Sequence, residues 1–240
     1  MKEVLSIENA ILDYASKNGR FGLSQIIDSL GINRNSVSHY LTKLSRSHKI
    51  DRVGTGQYQI HAKQNFLYIP SEAVVNLYER LKKELPFTDF CIYDGSVFAP
   101  LQHHIVVNNA IYVETNRDAI DSVFNRLKDQ GLTVYKQPDA AFIFDYVNLQ
   151  DKCIIVKPYI TEAPVKKINN IVVPTIEKLL VDIQRDPDFE YMRGSESHYI
   201  FETAIDQFLV NETKLLRYAN RRGCKEEILI LIKKTNNYDR

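Results

Sequence analysis

The strongest constraint on the fold is the stretch from residue 33 to residue 60, where a helical periodicity is followed by a hairpin pattern. Over residues 33–44, the apolar side chains Val37, Leu41 and Leu44 recur at i, i+4 and i+7, which is the spacing of one face of an α-helix. Two β-prone runs follow, residues 49–53 and 57–60, on either side of Gly54-Thr55-Gly56. Because glycine-rich turns join hairpin strands, this stretch predicts a helix followed by a two-stranded hairpin.

A shorter helix is predicted at residues 25–30, directly before the longer one. Ser24 is expected to cap this helix at its start, and Gly31 is expected to end it. Two helices joined by a tight turn and followed by a hairpin are the elements of a winged helix-turn-helix. We therefore predict such a domain over residues 1–62.

Two further elements of this domain are predicted near its start. Residues 2–17 form a first helix, with an apolar face and Asn18-Gly19 as its end. The apolar face of that helix consists of Val4, Ile7, Ile11 and Tyr14. Phe21 and Leu23 have the alternate spacing of a short strand, which we expect to pair with the hairpin.

The outward face of the second helix and the hairpin carry polar and basic side chains, which suit the base edges and phosphates of duplex DNA. From residue 34 to residue 60 there are five lysines or arginines and one acid, Asp51. The predicted DNA-binding residues are Arg34, Asn35, Ser36, Ser38, His39, Thr42, Lys43, Arg46, Arg52 and Thr55. The alternative is that this helical cluster only packs against another part of the protein; the local positive charge favours DNA.

The charge of the whole chain is close to balanced, but its distribution is uneven. Residues 1–62 hold eight basic and five acidic residues (+3), residues 64–211 hold 14 and 21 (−7), and residues 212–240 hold eight and four (+4). Since phosphates attract positive charge, we expect nucleic-acid contacts at the two ends of the chain. No apolar run approaches the roughly 20 residues of a membrane span, so a cytoplasmic protein is expected.

The three cysteines, Cys91, Cys153 and Cys224, are far apart in the sequence and form no Cys-x-x-Cys pair. Neither a disulfide framework nor a zinc site is therefore indicated. They are expected to be buried, and no cofactor or metal is expected.

Residues 63–240 are predicted to form a larger mixed α/β domain with a helical C-terminal cap. Two Asn-Asn dipeptides, Asn108-Asn109 and Asn169-Asn170, are expected to make tight hairpins because asparagine tolerates a positive φ. Thr115 and Asp118 are expected to form a capping box. The predicted strands are 87–93, 104–107, 110–114, 132–136, 141–146, 152–157, 165–168 and 171–173; the predicted helices are 71–85, 115–131, 175–185, 195–210, 211–222 and 225–234.

Three catalytic hypotheses fail at the level of the sequence. A nucleotidyltransferase would need paired carboxylates on the strand after Gly95-Ser96, whereas the one Asp-x-Asp, at 186–188, is expected in a turn. A restriction-type nuclease would need an acid-x-Lys on a strand, and the one present, at 212–214, begins a helix. His103 and His104 would point to opposite faces of a strand and could not share a metal, even with His198 as a third partner. No enzyme is predicted.

A second basic surface is predicted on the helix at 211–222, with a positive edge that extends into the next helix. Its residues are Lys214, Arg217, Arg221, Arg222 and Lys225. A charged helical face can simply be solvated; the functional alternative is contact with nucleic acid or an acidic partner.

Three segments give the chain a resemblance to a known family. They are the end of the predicted winged helix, Arg52-Val53-Gly54-Thr55-Gly56-Gln57-Tyr58; the segment Val173-Pro174-Thr175-Ile176-Glu177-Lys178-Leu179-Leu180-Val181-Asp182; and Leu215-Leu216-Arg217-Tyr218-Ala219-Asn220-Arg221-Arg222-Gly223. In these segments and in the order of its parts, the chain resembles the AbiEi antitoxins of type IV toxin–antitoxin and abortive-infection systems. Residues 62–110 depart from the shorter members of that family.

The resemblance implies a DNA-binding transcriptional autorepressor that binds inverted repeats of operator DNA, on which a dimer is expected, and that counteracts a nucleotidyltransferase toxin without needing a stable complex with it. One alternative is a winged-helix transcription factor whose second domain senses a small ligand in a pocket between sheet and helices. Another is a nuclease-like protein that the winged helix targets to DNA.

Overall fold

A computed structural model describes residues 7–47, 49–104 and 107–237 of the chain. The chain divides into two compact units, an N-terminal unit of residues 7–64 and a C-terminal unit of residues 65–237. Each unit has its own hydrophobic core and is described separately. No helix within the described ranges combines the length and the apolar character needed to cross a membrane.

The N-terminal unit consists of three helices and a small antiparallel sheet with the strand order β1-β3-β2. The predicted hairpin and the predicted pairing of a short strand with it are both confirmed. In chain order the elements are α1 (Ile7–Asn18), β1 (Arg20–Gly22), α2 (Leu23–Leu30), α3 (Arg34–Arg46), β2 (Ile50–Gly54) and β3 (Gln57–Ile60).

The core of this unit contains the predicted apolar faces. Val37, Leu41 and Leu44 of α3 are fully buried, as their spacing predicts. Ile11 of α1 is buried beside them in the same cluster, and Phe21 of β1 stacks on Tyr58 of β3. Val4, the first residue of the apolar face predicted for α1, lies outside the described residues.

The start of α2 corrects one prediction. The helix begins at Leu23, and the residue before it, Gly22, is its N-cap. The backbone N–H of Gly22 donates to the side chain of Gln25 over 2.6 Å, whereas Ser24 is exposed within the first turn and does not cap. Leu23 therefore belongs to the helix and not to the strand. The end of α2 is as predicted, with Gly31 at a φ of 65°.

The C-terminal unit is built on a four-stranded mixed sheet with the strand order β4-β5-β7-β6. Strand β4 is antiparallel to β5, and β5, β7 and β6 are parallel. The elements are α4 (Glu72–Glu84), β4 (Phe90–Asp94), β5 (Ile111–Thr115), α5 (Ile120–Asp129), β6 (Val134–Lys136), α6 (Ala140–Tyr146), β7 (Ile154–Pro158), β8 (Val165–Ile168), β9 (Ile171–Pro174), α7 (Ile176–Arg185), α8 (Ser195–Gln207), α9 (Glu212–Arg222) and α10 (Lys225–Asn237). The mixed α/β class and the helical C-terminal region agree with the prediction.

The sheet is covered on both faces, because alternate residues of each strand point to opposite sides. One face packs against α4 and α5, with Ile92 and Val113 in that cluster. The other face contributes Tyr93 and Tyr112 to the larger cluster, which also contains apolar residues of α7, α8, α9 and α10. All three cysteines are buried, as predicted, and their thiols are free.

The hairpin predicted at Asn169-Asn170 is confirmed. It joins β8 to β9, and its two asparagines have φ values of 48° and 67°. This is the left-handed backbone that tight two-residue hairpins require and that asparagine adopts more readily than most residues.

The hairpin predicted at Asn108-Asn109 is wrong. Residues 104 and 107 are not in a strand, and residues 105 and 106 lie outside the described part of the chain. Strand β5 pairs instead with β4 and β7. The Asn108 side chain is buried, donates to the Tyr112 and Tyr191 hydroxyls over 2.9 Å each, and packs where a Cβ on Gly95 would lie 2.3 Å from it. It fills space in the interior instead of turning the chain.

Three other local predictions are corrected. Residues 140–146 form helix α6, capped by the Asp139 side chain, where a strand was predicted. Thr115 does not cap α5, because its hydroxyl donates to the Asp89 carbonyl and α5 begins at Ile120 after a short 3-10 turn. Strand β4 begins at Phe90, since Phe87 is almost completely exposed.

Candidate nucleic-acid interface and a buried charged cluster

The outward face of α3 presents most of the predicted DNA-binding side chains to solvent. Ser36 is half-buried, and its backbone N–H donates to the capping side chain of Asn33 over 2.9 Å. The exposed members are Arg34, Asn35, Ser38, His39, Thr42, Lys43 and Arg46 on α3, together with Arg52 and Thr55 on the β2–β3 hairpin.

Several of these side chains keep their hydrogen-bonding groups available. In the described part of the chain, Arg34, Asn35 and Arg46 form no side-chain hydrogen bond or ion pair. Thr42 differs, because its hydroxyl donates to the Ser38 carbonyl over 2.9 Å. The helix therefore offers two unpaired guanidinium groups, near its two ends, with an amide between them.

Lys43 is held differently from the two arginines. Its ammonium lies 2.8 Å from a carboxylate oxygen of Glu8 on α1, and Lys49 lies 3.3 Å from the other oxygen. The hydrogen bond from Lys43 is the main cause that lowers the pKa of Glu8. Any phosphate that Lys43 binds must compete with this carboxylate, so Lys43 is expected to contribute less to DNA affinity than Arg34 or Arg46.

The hairpin places its two predicted contacts close together. Thr55 occupies the turn beside Gly56, whose φ is 66°, and it is exposed. Arg52 is also exposed, and its Nε donates to the Gly54 carbonyl over 3.4 Å. Because that hydrogen bond engages only one of the five N–H groups of the guanidinium, the side chain can still bind a phosphate.

The second basic surface is only partly as predicted. Lys214, Arg217, Arg221 and Lys225 are exposed. Arg221 donates to the Thr161 hydroxyl over 2.6 Å, and Arg217 lies 3.9 Å from Glu162. Arg222 is a correction: its guanidinium turns inward and pairs with Asp182 and Asp186, so it does not belong to this surface.

Arg222 instead belongs to a network of buried charges, which we call the charged cluster. The cluster lies at the carboxyl end of the parallel strands, where Glu114 of β5 pairs in register with Lys157 of β7. Crevices at this end of parallel strands are where open α/β sheets bind ligands. Its members are Glu114, Lys157, Lys178 and Asp182 of α7, Asp186, Asp188, and Arg222 of α9.

Each cation in the charged cluster bridges at least two carboxylates. Lys157 Nζ lies 2.8 Å from Asp186 and 2.7 Å from Asp188. Lys178 Nζ lies 2.7 Å from Glu114 Oε1 and also contacts Asp182. Arg222 Nη1 lies 2.8 Å from Asp182 Oδ1, and its Nη2 contacts Asp186. The network therefore joins the sheet to α7 and α9 through charge-assisted hydrogen bonds.

Two tyrosines complete the network. The Tyr93 hydroxyl donates to Glu114 Oε1 over 3.0 Å, and the Tyr218 hydroxyl donates to Asp182 Oδ1 over 2.9 Å. Burial raises the pKa of both phenols, so both remain hydrogen-bond donors at neutral pH.

The carboxyl groups of the cluster differ in their acidity. Burial raises the pKa of Asp182 to about 6, against the opposing charge of Lys178. Burial acts in the same direction on Asp186, but the charges of Lys157 and Arg222 outweigh it and hold the pKa of Asp186 well below its usual range. Burial alone would lower the pKa of Lys157, yet Asp186 and Asp188 raise it, so Lys157 is charged at every physiological pH.

The charged cluster was not predicted from the sequence, although one signal was present. Lys178 and Asp182 are four residues apart, which places them on one face of the predicted helix, and Asp186 follows four residues later, directly after its end. That face also carries buried apolar residues, so charges there had to be paired inside the protein. The partners on β5, β7 and α9 are far away in sequence, and no local pattern identifies them.

Among the described residues, His103, His104 and His198 are not gathered into a group that could share a metal ion. His103 and His104 lie outside any strand, both are exposed, and their ring centroids are 4.8 Å apart. The His103 ring also packs against Tyr199, at 5.5 Å. The expectation that a strand would separate the two rings onto opposite faces is therefore wrong.

Fold and site together define a mixed α/β protein of two units, with an exposed polar helix in the first and a buried charged cluster in the second. Residues 36–238 match the model of a family of unknown function, DUF6577. The chain belongs to this family. No curated protein matches the sequence.

Proposed function

We propose that the N-terminal unit is a winged helix that binds double-stranded DNA, with α3 in the major groove and the β2–β3 hairpin against the adjacent backbone. The observation that carries this proposal is the division of α3 into two faces. Val37, Leu41 and Leu44 are buried on one side, and a polar face with the unpaired Arg34 and Arg46 is exposed on the other. The major groove is wide enough to admit such a helix.

The charge of the N-terminal unit supports the same proposal. Between residues 34 and 60 the basic residues outnumber the acids by five to one. DNA binding of this kind is driven largely by the release of counterions from phosphates, so its strength depends on salt. Arg52 and Thr55 on the hairpin lie at the positions expected to contact the backbone.

We further propose that the protein acts in the cytoplasm as a repressor of its own operon, on inverted repeats and as a dimer, and as an antitoxin against a nucleotidyltransferase toxin. The support is the resemblance to AbiEi antitoxins. Two of its three segments meet in the charged cluster, where Lys178 and Asp182 of one segment join Arg222 of the other. The proposal assigns no catalysis to the C-terminal unit.

Binding to the DNA upstream of the protein's own gene tests the first part of this proposal. We expect fluorescence anisotropy to give a dissociation constant on the order of 10⁻⁸ M at about 100 mM salt. A scrambled duplex should bind at least about a thousandfold more weakly. Equal affinity for both duplexes at every salt concentration would contradict sequence-specific binding.

Co-expression with the adjacent toxin gene tests the second part. Growth should be restored by the full chain and by a chain that cannot bind DNA, because antitoxicity is assigned to the C-terminal unit. Failure of both to restore growth would remove the antitoxin role and leave DNA binding intact.

A second candidate function, a ligand-sensing transcription factor, is favoured by a cavity of about 690 Å³ in the C-terminal unit. Ligand pockets of this kind measure roughly 300–1,000 Å³. Leu77 of α4 and Ile154 of β7 contribute apolar surface, and Arg80 and Lys152 contribute positive charge. The one carboxylate in the described lining, Asp94, accepts hydrogen bonds from Ser71 and Ser96. Within the described ranges neither of these cations forms an ion pair. The cavity therefore suits a small organic anion with an apolar part.

A thermal-shift screen of carboxylated and phosphorylated metabolites tests this candidate. A ligand present at 100 times its dissociation constant should stabilise the protein by about 2.7 kcal/mol. R80A should abolish the shift, while K83A, which removes an exposed charge from the same helix outside the cavity, should keep it. A shift that R80A leaves unchanged would contradict anion binding in this cavity.

A further inference from the structure

One edge of the four-stranded sheet is open. In the described part of the chain, β6 is the last strand of this sheet and pairs only with β7. A groove of about 360 Å³ follows this edge. Residues 134–139 line it, together with Phe124 of α5 on one face of the sheet and Phe142 of α6 on the other. The strand can therefore be reached from outside the sheet.

Two residues of β6 direct their backbone groups into the groove. The Thr133 carbonyl accepts a hydrogen bond from β7, and the Gln137 N–H donates one to β7, over 2.9 Å in each case. Because hydrogen bonding alternates along a strand that is paired on one side, residues 133, 135 and 137 face β7, and Val134 and Lys136 face the groove. The N–H and C=O groups of these two residues are available to another strand.

The spacing of these two residues allows β6 to pair with a second copy of itself. In an antiparallel pair with a two-fold axis at Tyr135, Val134 lies opposite the partner's Lys136, and Lys136 lies opposite the partner's Val134. Residues that face each other in this way exchange two hydrogen bonds, so the two positions together form four. The same surface is then used by both copies, as a two-fold interface requires.

Aromatic side chains on the α6 side of the groove would be covered by this pairing. The rings of Tyr135 and Phe142 are 5.9 Å apart, and those of Phe142 and Tyr146 are 5.2 Å apart. Phe142 is 42% exposed and Tyr146 is 69% exposed. Tyr135 would lie directly opposite the partner's Tyr135, and aromatic pairs across strands stabilise a sheet. Each copy would therefore add three rings to one shared cluster.

The charges at the groove favour a second copy over nucleic acid. Among the described residues, its lining contains one cation, Lys136, and one acid, Asp139. The Lys136 ammonium also lies 2.8 Å from a carboxylate oxygen of Asp121 on α5. A surface without a surplus of either sign does not repel its own copy, whereas binding to phosphates requires a surplus of positive charge.

The exposed aromatic area sets the expected strength of the dimer. Since a covered aromatic side chain buries about 150–250 Å², the exposed parts of Phe142 and Tyr146 supply roughly 200 Å² per copy. A standard interface buries about 800 Å² per partner, so most of the area must come from the strand edge and the two helices beside it. We therefore expect a weak dimer in solution, which two adjacent operator half-sites would stabilise.

We propose that two copies of the chain form a dimer through the β6 edge, with Tyr135, Phe142 and Tyr146 at its centre. This inference deepens the proposed function, on whose dimer at inverted repeats it rests.

Sedimentation velocity of the full chain without DNA tests the proposal. We expect a monomer–dimer equilibrium with a dissociation constant on the order of 10⁻⁶–10⁻⁵ M, measured from about tenfold below to about tenfold above that range. K136P removes an N–H that faces the groove, and proline is tolerated at such a position of an edge strand. Because each dimer loses two hydrogen bonds, K136P should weaken dimerisation at least about tenfold. K136A keeps the N–H and loses only an exposed ion pair, so its dissociation constant should stay within about threefold of the wild-type value.

Y146K supplies an arm that does not depend on the folding of K136P. It places one lysine from each copy in the shared aromatic cluster, so dimerisation should again weaken at least about tenfold. The matched control is F144K. Phe144 is 91% exposed and lies two residues from Phe142, which places it on another side of α6. F144K should dimerise as the wild type does.

Two results would overturn the proposal. A wild-type protein that stays monomeric at the highest concentration would identify β6 as a short edge strand that resists association. A dimer that both K136P and Y146K leave unchanged would form through another surface.

Duplexes with one and with two half-sites separate this proposal from DNA binding by the N-terminal unit. K136P should bind a single half-site as the wild type does and bind the inverted repeat more weakly. Failure of the wild type to bind either duplex would contradict DNA binding and leave the sedimentation result valid.

Discussion

Replacement of Lys178 by methionine is expected to destabilise the C-terminal unit by about 3–5 kcal/mol. Lys178 is fully buried and bridges Glu114 and Asp182. Methionine fills a similar volume without the charge, so the loss comes mainly from the carboxylates that remain buried without their cation. Urea unfolding followed by circular dichroism at pH 7 measures the change.

The pH dependence of this variant provides a second test. Asp182 already has a pKa raised by burial to about 6, so its folded form holds a proton more tightly than its unfolded form does. The contribution of Asp182 to the free energy of unfolding therefore decreases as the pH rises from the ordinary aspartate pKa of 3.8 to about 6. Because Lys178 opposes the shift, its removal should raise the pKa further. The deficit of K178M relative to the wild type should accordingly shrink between pH 7 and pH 5.

The matched control is K214M on α9. Lys214 is exposed, so the free energy of unfolding of this variant should remain within about 0.5 kcal/mol of the wild-type value. A free energy of unfolding for K178M within about 1 kcal/mol of the wild-type value would contradict the prediction. The charged cluster would then not hold α7 to the sheet in the way that its contacts indicate.

The combined replacement R34A/R46A is expected to weaken operator binding by about 2–4 kcal/mol, or roughly 30- to 1,000-fold. Both guanidinium groups lie on the exposed face of α3 and have no competing partner among the described residues. If both contact phosphates, the slope of log affinity against log salt should fall by about two units. Anisotropy titrations at several salt concentrations measure both quantities.

The control K17A/R20A removes the same number of charges from the same unit. Lys17 is at the end of α1 and Arg20 begins β1, outside the proposed interface. This variant should bind DNA within about threefold of the wild type. Equal losses in the two double variants would show that net charge alone attracts DNA, and α3 would not be the recognition helix.

Local sequence determined the elements whose stabilising contacts lie within a few residues. The apolar face of α3 follows from the spacing of Val37, Leu41 and Leu44, and Gly31 ends α2 because glycine adopts a positive φ at little cost. The N-caps of α4 and α9, Ser71 and Asn211, can likewise be predicted from the local sequence. Such features depend on helix geometry and backbone preference, which act before tertiary contacts form.

Residues 140–146 show where local preference was insufficient. Their aromatic and apolar composition favours a strand, but the Asp139 side chain caps a helix there and only Ile143 is buried. The strands of the sheet are already paired as β4-β5-β7-β6. Because strand pairing depends on distant partners, composition alone could not decide this segment.

The two Asn-Asn dipeptides have the same sequence but different structures, and tertiary contacts explain the difference. Asn169-Asn170 turns a hairpin because β8 and β9 lie on either side of it and have only each other to pair with in their sheet. Asn108-Asn109 makes no such turn, since β5 is paired on both edges and the Asn108 side chain is needed beside Gly95. Tertiary partners also decide the direction of the Arg222 side chain. Its spacing on α9 predicted a surface charge, but its guanidinium turns inward because it pairs with Asp182 and Asp186. Backbone preference can be read from neighbouring residues, whereas the partner of a buried polar group depends on which distant segments the fold brings together.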